Sequence, residues 1–292
     1  MRGREPSPLS ARLTTYGDVV GAFVAQSGPV DLLTSMPGNV GDQLIARGTE
    51  RLLASRGVSF ARVSVHELGQ GVGSALGRTL VVPGSGAWSA LWHEWLPQLV
   101  LTASGMFDRV VVLPSGYDRG APGVVEALSR PNVFAFAREA DSYAHIKHLG
   151  RAALALDPAL YAFDLASADV DDGLDWRGDR VLVALRTDAG SLLPRDGWRP
   201  VDGRSVDISV TSPHLDDFLG SIRAADGVVT DRLHVAVGSI MLGKRVRFLE
   251  TYGRKLSTHL GFTFRDQYGS QVQERDRDWF AAHGFIEPSG RV

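Results

Sequence analysis

Short, almost wholly apolar runs that stop abruptly at glycine, proline or aspartate recur along this chain, each followed by a stretch with helical spacing. Residues 30–38 read VDLLTSMPG, residues 79–86 TLVVPGSG and residues 109–116 RVVVLPSG. Apolar runs of this length without polar alternation fit strands buried on both faces. Between them, DQLIARGTERLLASRG from Asp42 puts Leu44, Ile45, Leu52 and Leu53 on one helical face and stops at Gly57, a natural C-cap. Strand and helix in alternation predict an α/β chain with a parallel, doubly wound sheet.

A second series begins after residues 166–179, ASADVDDGLDWRGD, which are acidic, poor in large apolar side chains and expected to be a linker. DRVLVALRTD (179–188), RSVDISV (204–210) and KRVRFLE (244–250) read as strands, and DGVVTDRLHVAVGSIMLG (226–243) as strand, cap and helix. The expected division is a domain over 1–168 and another over 176–292, with the last helix, near 270–284, placed to cross back onto the first. The chain has 292 residues, which suits two cores of about 150 residues each, and two lobes imply a cleft.

Charge decides how such a protein would hold an anion. The formal net charge is -2, so no global positive field draws in nucleic acid or an acidic membrane, and any anion must be held by local groups. The chain has no cysteine, which removes disulfides, thiolate metal sites and a cysteine nucleophile. The first residues lack the apolar core of a signal peptide and no run is long enough to span a bilayer, so the reading is cytoplasmic.

The strongest local signal is TDRLH, residues 230–234, at the junction of a strand and a helix. With Thr230 or Asp231 as N-cap, Arg232, Leu233 and His234 fall in the first turn, where unpaired N–H groups and the helix dipole favour an anion. Arg232 adds a planar donor fork matched to carboxylate or phosphate, and His234 is a candidate general acid. The plain alternative is that Asp231 only caps and pairs with Arg232. Arg186 ends a strand of the same series, and Arg138 follows the run NVFAFA; both sit where open α/β sheets face their ligands, and both suit a surface ion pair equally. PGNVGDQL (Gly38, Asn39, Gly41 and Asp42) and PGSG (Gly84, Ser85 and Gly86) are glycine loops leaving strands, which serve either close backbone approach to a ligand or a tight turn capped by Asn39 or Asp42. His66-Glu67, His93-Glu94 and the His145, His148 pair lack further ligands at metal spacing. Trp88, Trp92 and Trp95 have the spacing of one packed helix face.

In their order, GNVGDQLI, PGSG, Arg138-Glu139 with Ser142, a strand ending in Arg186, and TDRLHVAV make the chain resemble the polysaccharide pyruvyl transferase family from about residue 31 to 255. It departs from the family pattern at Val235, Ser85 and Arg245. The resemblance implies two Rossmann-like lobes facing a cleft, a GT-B-like fold. It implies transfer of the pyruvyl group of phosphoenolpyruvate to two hydroxyls of a sugar, forming a cyclic ketal without metal or cofactor. Arg186, Arg232 and the N–H groups of Leu233 and His234 would hold the donor, with His234 as acid and Arg232 stabilising charge. Asp231, Arg138, Lys255 and the two glycine loops complete the substrate-binding set. The acceptor would be a saccharide, free or lipid-linked, and a lipid-linked one would bring the enzyme to a membrane surface. A nucleotide-sugar glycosyltransferase and a non-catalytic binding protein are the competing readings.

Overall fold

The apolar runs become parallel strands. The computed structural model describes residues 8–71, 78–89, 91, 95–118, 120–164, 174–178, 180–188, 190–251 and 254–289. The chain divides into two compact units: residues 1–38 with 44–163, and residues 39–43 with 164–292.

The first unit runs α1 (Pro8–Ala25), β1 (Val30–Thr34), α2 (Val40–Ser55), β2 (Phe60–Ser64), α3 (Val65–Gly69), β3 (Thr79–Val82), α4 (Trp95–Ser104), β4 (Arg109–Ser115), α5 (Pro122–Leu128), β5 (Val133–Ala137), α6 (Ala140–Ile146) and β6 (Ala152–Leu154). Its six strands are all parallel, in the order β2-β1-β3-β4-β5-β6. Successive side chains alternate between the faces. Leu33, Leu80, Val82, Val110 and Val112 therefore pack with Leu96, Val100 and Val124 on one side. Val30, Leu32, Val81, Val111 and Leu113 pack with Val20, Val24, Leu52 and Leu53 on the other. Burying each such side chain is worth roughly 1.5–3 kcal/mol, which is why a run apolar at every position is held as a doubly covered strand. From β1 the chain moves outward to β2, then returns to place β3 on the opposite flank of β1. That reversal is a topological switch point, and the loops leaving β1 and β3 there are the two glycine loops, 35–39 and 83–87.

The second unit contains β7 (Val181–Ala184), β8 (Trp198–Pro200), α7 (Ile208–Thr211), α8 (Leu215–Ala224), β9 (Gly227–Thr230), α9 (Leu233–Met241), β10 (Arg245–Phe248), α10 (Lys255–Thr263), β11 (Val272–Glu274), α11 (Arg277–Ala282) and β12 (Ile286–Pro288). Its parallel sheet runs β11-β10-β9-β7 without reversal among the described strands, and β8 with β12 forms an antiparallel ribbon.

Several expectations need correction or placement. The run 204–210 is not a strand: Val206, Ile208 and Val210 alternate with polar residues, but Val206 and Val210 are exposed, and 208–211 wind into the short helix α7 with Asp207 as its N-cap. Phe280 of the last helix, α11, packs with Val181, Val183, Leu193 and Phe285 in the core of the second unit. Trp88 and Trp95 do not share a helix, since Trp88 bridges to Tyr117 from a loop while Trp95 opens α4; Trp92 lies outside the described residues, as does His93. The acidic linker falls mostly on 165–173, also outside them. The segment 39–43 groups with the second unit, whereas the sequence suggested an unbroken first domain over 1–168.

Candidate functional site

The centre of the second unit's site is a buried arginine. β9 ends at Thr230, whose hydroxyl donates to the Ala184 carbonyl at the end of β7 (2.6 Å) and accepts the Arg232 N–H (2.9 Å). The chain therefore turns before the helix, and the N-cap of α9 is Arg232 itself, rather than Thr230 or Asp231. Leu233 and His234 then occupy the first two helical positions, where backbone N–H groups lack partners within the helix.

Arg232 points into a pair of carboxylates. Its Nε donates to Asp207 Oδ1 (2.6 Å), and its Nη2 donates to Asp207 Oδ2 and to Asp188 Oδ2 (2.9 Å). Asp207 also accepts from the Thr187 N–H (2.9 Å) and hydroxyl (3.1 Å), which locks it. Burial works against charge on Arg232, but Asp207 and Asp188 outweigh it and hold the guanidinium above its ordinary range. Arg186 reaches the same Asp188, donating from Nε (2.9 Å) and Nη2 (3.2 Å). Its guanidinium packs against Gly190, where a Cβ would stand 2.4 Å from Nη2, so a side chain at that position would push the guanidinium aside. Burial opposes ionisation of Asp188, yet the two arginines more than offset this and its carboxyl lies below its usual value. Asp231 turns away from the helix and accepts the Arg186 N–H (2.7 Å). Full burial pushes its carboxyl up to about 7, despite that hydrogen bond and the two arginine charges.

The GNVGD loop meets this site within the second unit. Asn39 Oδ1 accepts the Gly41 N–H (2.9 Å), and Asp42 Oδ2 accepts the Asn39 N–H (2.8 Å), a reciprocal cap for α2. The capped-turn reading of these residues is thus realised. It also brings Gly41 against the acid candidate: a Cβ there would lie 3.0 Å from His234 Cβ.

The remaining predicted positions sit elsewhere. In the first unit, Arg138 is 3% exposed, donates from Nη1 to the fully buried Asp157 (3.0 Å) and packs beneath Gly86 and Gly116. Glu139 N-caps α6 through the Ser142 N–H, and the Ser142 hydroxyl donates to it while accepting the Tyr117 N–H (2.7 Å). Burial raises the Glu139 carboxyl. The Arg-Glu-Ser element thus ties the loop after β4 to α6. Gly84 backs onto the Pro114 carbonyl, and Ser85 donates its N–H to Ser115 Oγ and accepts the Ala87 N–H (both 3.0 Å). Gly38 precedes the cap, outside the second unit, and Lys255 opens α10, half-buried. Asp188 and Asp207 escaped the sequence reading. A legible sign of Asp207 was an aspartate inside a β-like run, where it is disfavoured. Among the described residues no three His, Asp or Glu cluster at metal-binding range, and no helix is long and apolar enough to cross a membrane.

The polysaccharide pyruvyl transferase family model matches residues 39–251, from the cap of α2 to the turn before α10 and well over half of the chain. The chain belongs to that family. It is therefore a transferase of pyruvyl groups to polysaccharide, and this decides against the glycosyltransferase and non-catalytic readings. A solved structure of an uncharacterized Klebsiella pneumoniae protein is 18% identical with a TM-score of 0.65, covering 90% of this chain and 98% of that one, and it shares the fold. The E. coli ADP-heptose lipopolysaccharide heptosyltransferase II is 10% identical over 85% of this chain and 90% of its own, with a TM-score of 0.30, too distant to argue from. No curated protein matches the sequence.

Proposed function

We propose that this transferase takes its pyruvyl group from phosphoenolpyruvate and forms a cyclic ketal with two hydroxyls of a saccharide, free or lipid-linked. The observation that carries the reading is that Arg186 and Arg232, from different strand ends, converge on one carboxylate, so both guanidiniums address a single anion. A donor with a carboxylate and a phosphate on one small carbon frame suits that pair, together with the N–H groups of Leu233 and His234. His234, one helical residue further on, gives a proton to the donor's methylene carbon, which becomes a methyl group. The adjacent carbon then takes up electron density from a sugar hydroxyl, which loses its proton. Phosphate leaves with the bonding pair, and the second hydroxyl closes the ring with loss of its own proton. Arg186 and Arg232 stabilise the departing phosphate. No step requires a cofactor beyond the donor itself.

The test is phosphate release from phosphoenolpyruvate in the presence of saccharide acceptors. His234→Ala should lower kcat by about 10²–10⁴-fold, as expected for loss of a general acid, while donor binding persists. Undiminished turnover would remove His234 as the acid.

A further inference from the structure

Two carboxylates hold the arginine pair, and they are held very differently. Asp207 has a side chain only 2% exposed, receives two donors from Arg232 and two from Thr187, and is fixed in place. Asp188 has a side chain 28% exposed and rests on Arg186 Nε and Nη2, Arg232 Nη2 and the Gly190 N–H (2.9 Å). Each of its oxygens contacts Arg186, and Oδ2 also joins it to Arg232, so it makes the bridge an external oxyanion would make.

We infer that Asp188 is an exchangeable carboxylate occupying the oxyanion seat between Arg186 and Arg232, and that the donor's anionic group binds by displacing it. This rests on the reading of that pair as the donor site. The charge count favours an exchange. Arg186 and Arg232 are already matched by Asp188 and Asp207, so an anion added on top would have only the N–H groups of Leu233 and His234 to attract it and would meet the like charge of Asp188 at contact distance. Removing Asp188 from the seat leaves one net positive charge and free donors on both guanidiniums. Asp207 keeps Arg232 where it is, while Arg186, whose side chain is bound to Asp188, turns its donors to the incoming anion in that carboxylate's place. The device also selects its ligand: a neutral hydroxyl compound cannot replace a carboxylate bound by charge-assisted hydrogen bonds, whereas a phosphate or carboxylate can.

The experiment is calorimetric titration of the full chain with inorganic phosphate, and separately with phosphoenolpyruvate, for the wild type, Asp188→Asn and Asp188→Ser. Both variants should bind phosphate about tenfold more tightly or better, since each removes the competing charge. Equal or weaker binding by both folded variants, with unchanged near-ultraviolet circular dichroism, would overturn the inference and make Asp188 a strut for the arginines. Absence of phosphate binding in all three proteins would overturn it as well. If phosphate binds more tightly to the variants but the wild type transfers no pyruvyl group from phosphoenolpyruvate, the exchange stands and the donor assignment falls. Turnover by the wild type with no gain in affinity in the variants keeps the donor assignment and removes the exchange.

Discussion

Each unit buries an arginine just beyond the end of a parallel strand, and the two are put to opposite uses. Arg138, after β5, meets one carboxylate that is itself fully buried, under a roof of two glycine turns. Arg232, after β9, meets one buried carboxylate and one that remains partly in water and is shared with a second arginine. The first pair is closed on itself. The second is held from behind by Asp207 and shares its other, partly exposed carboxylate with Arg186, which suits the same residue at the same kind of strand end to the anion binding proposed above. What separates them is the exposure of the second carboxylate, and strand-end position alone does not supply that.

The comparison breaks most sharply on the buried acids. Asp157→Asn leaves the Arg138 charge without a partner in the interior, which typically costs about 3–5 kcal/mol. Urea denaturation should show a loss of that size, with the phosphate affinity of the folded protein unchanged. A wild-type midpoint would mean that Arg138 reaches water and is as open as Arg232. Asp207→Asn should do both kinds of damage, lowering stability and also weakening phosphate binding, because it releases the arginine that faces the ligand.

The strands were legible because burial on two faces forces a run of apolar residues, and β1, β3, β4, β7, β9 and β10 all lie within the runs that announced them. Arg186, Arg232 and His234, the residues of the proposed site, were legible from their places at strand and helix ends. What could not be read was compensation between distant segments. Asp188 and Asp207 matter only because a fold brings them to Arg232 across 44 and 25 residues of chain, and no local spacing encodes such a pairing. The same limit explains the N-cap. Thr230 and Asp231 have capping chemistry, but Ala184 at the end of the neighbouring strand and Arg186 just beyond it take up their side chains instead.

A smaller effect sharpens the contrast through pH. Asp231 ionises near 7 in the folded protein against an ordinary value of 3.8, because burial disfavours its charge. Between those values the folded state keeps a proton that the unfolded chain has released, so the associated stability is present below about pH 4 and is lost as pH rises to about 7. Asp231→Asn keeps an acceptor for the Arg186 N–H and removes the titration. Its stability relative to the wild type should therefore rise with pH across that window in urea titrations. A constant difference from about pH 4.5 to about pH 8 would show that Asp231 is ionised throughout, and the Arg186–Arg232 cluster would then carry a third fixed negative charge.

Gly41→Ala is the mildest change and the finest probe of the open site. Alanine favours the helix by about 1 kcal/mol, but its methyl group would sit 2.9 Å from Asn39 Oδ1 and 3.0 Å from His234 Cβ, so each neighbour must give by a few tenths of an ångström. These effects oppose one another in stability, and the unfolding free energy should move by less than about 1 kcal/mol. They do not oppose one another in catalysis, where, with His234 as the proposed acid, only its displacement counts. Since misplacing a reacting group by about 1 Å costs about 10²-fold, a shift of a few tenths should lower kcat several-fold and leave the phosphate affinity set by Arg186 and Arg232 nearly unchanged. If kcat and affinity fall together, the glycine loop belongs to the anion seat itself; if neither moves, Gly41 serves the cap of α2 alone.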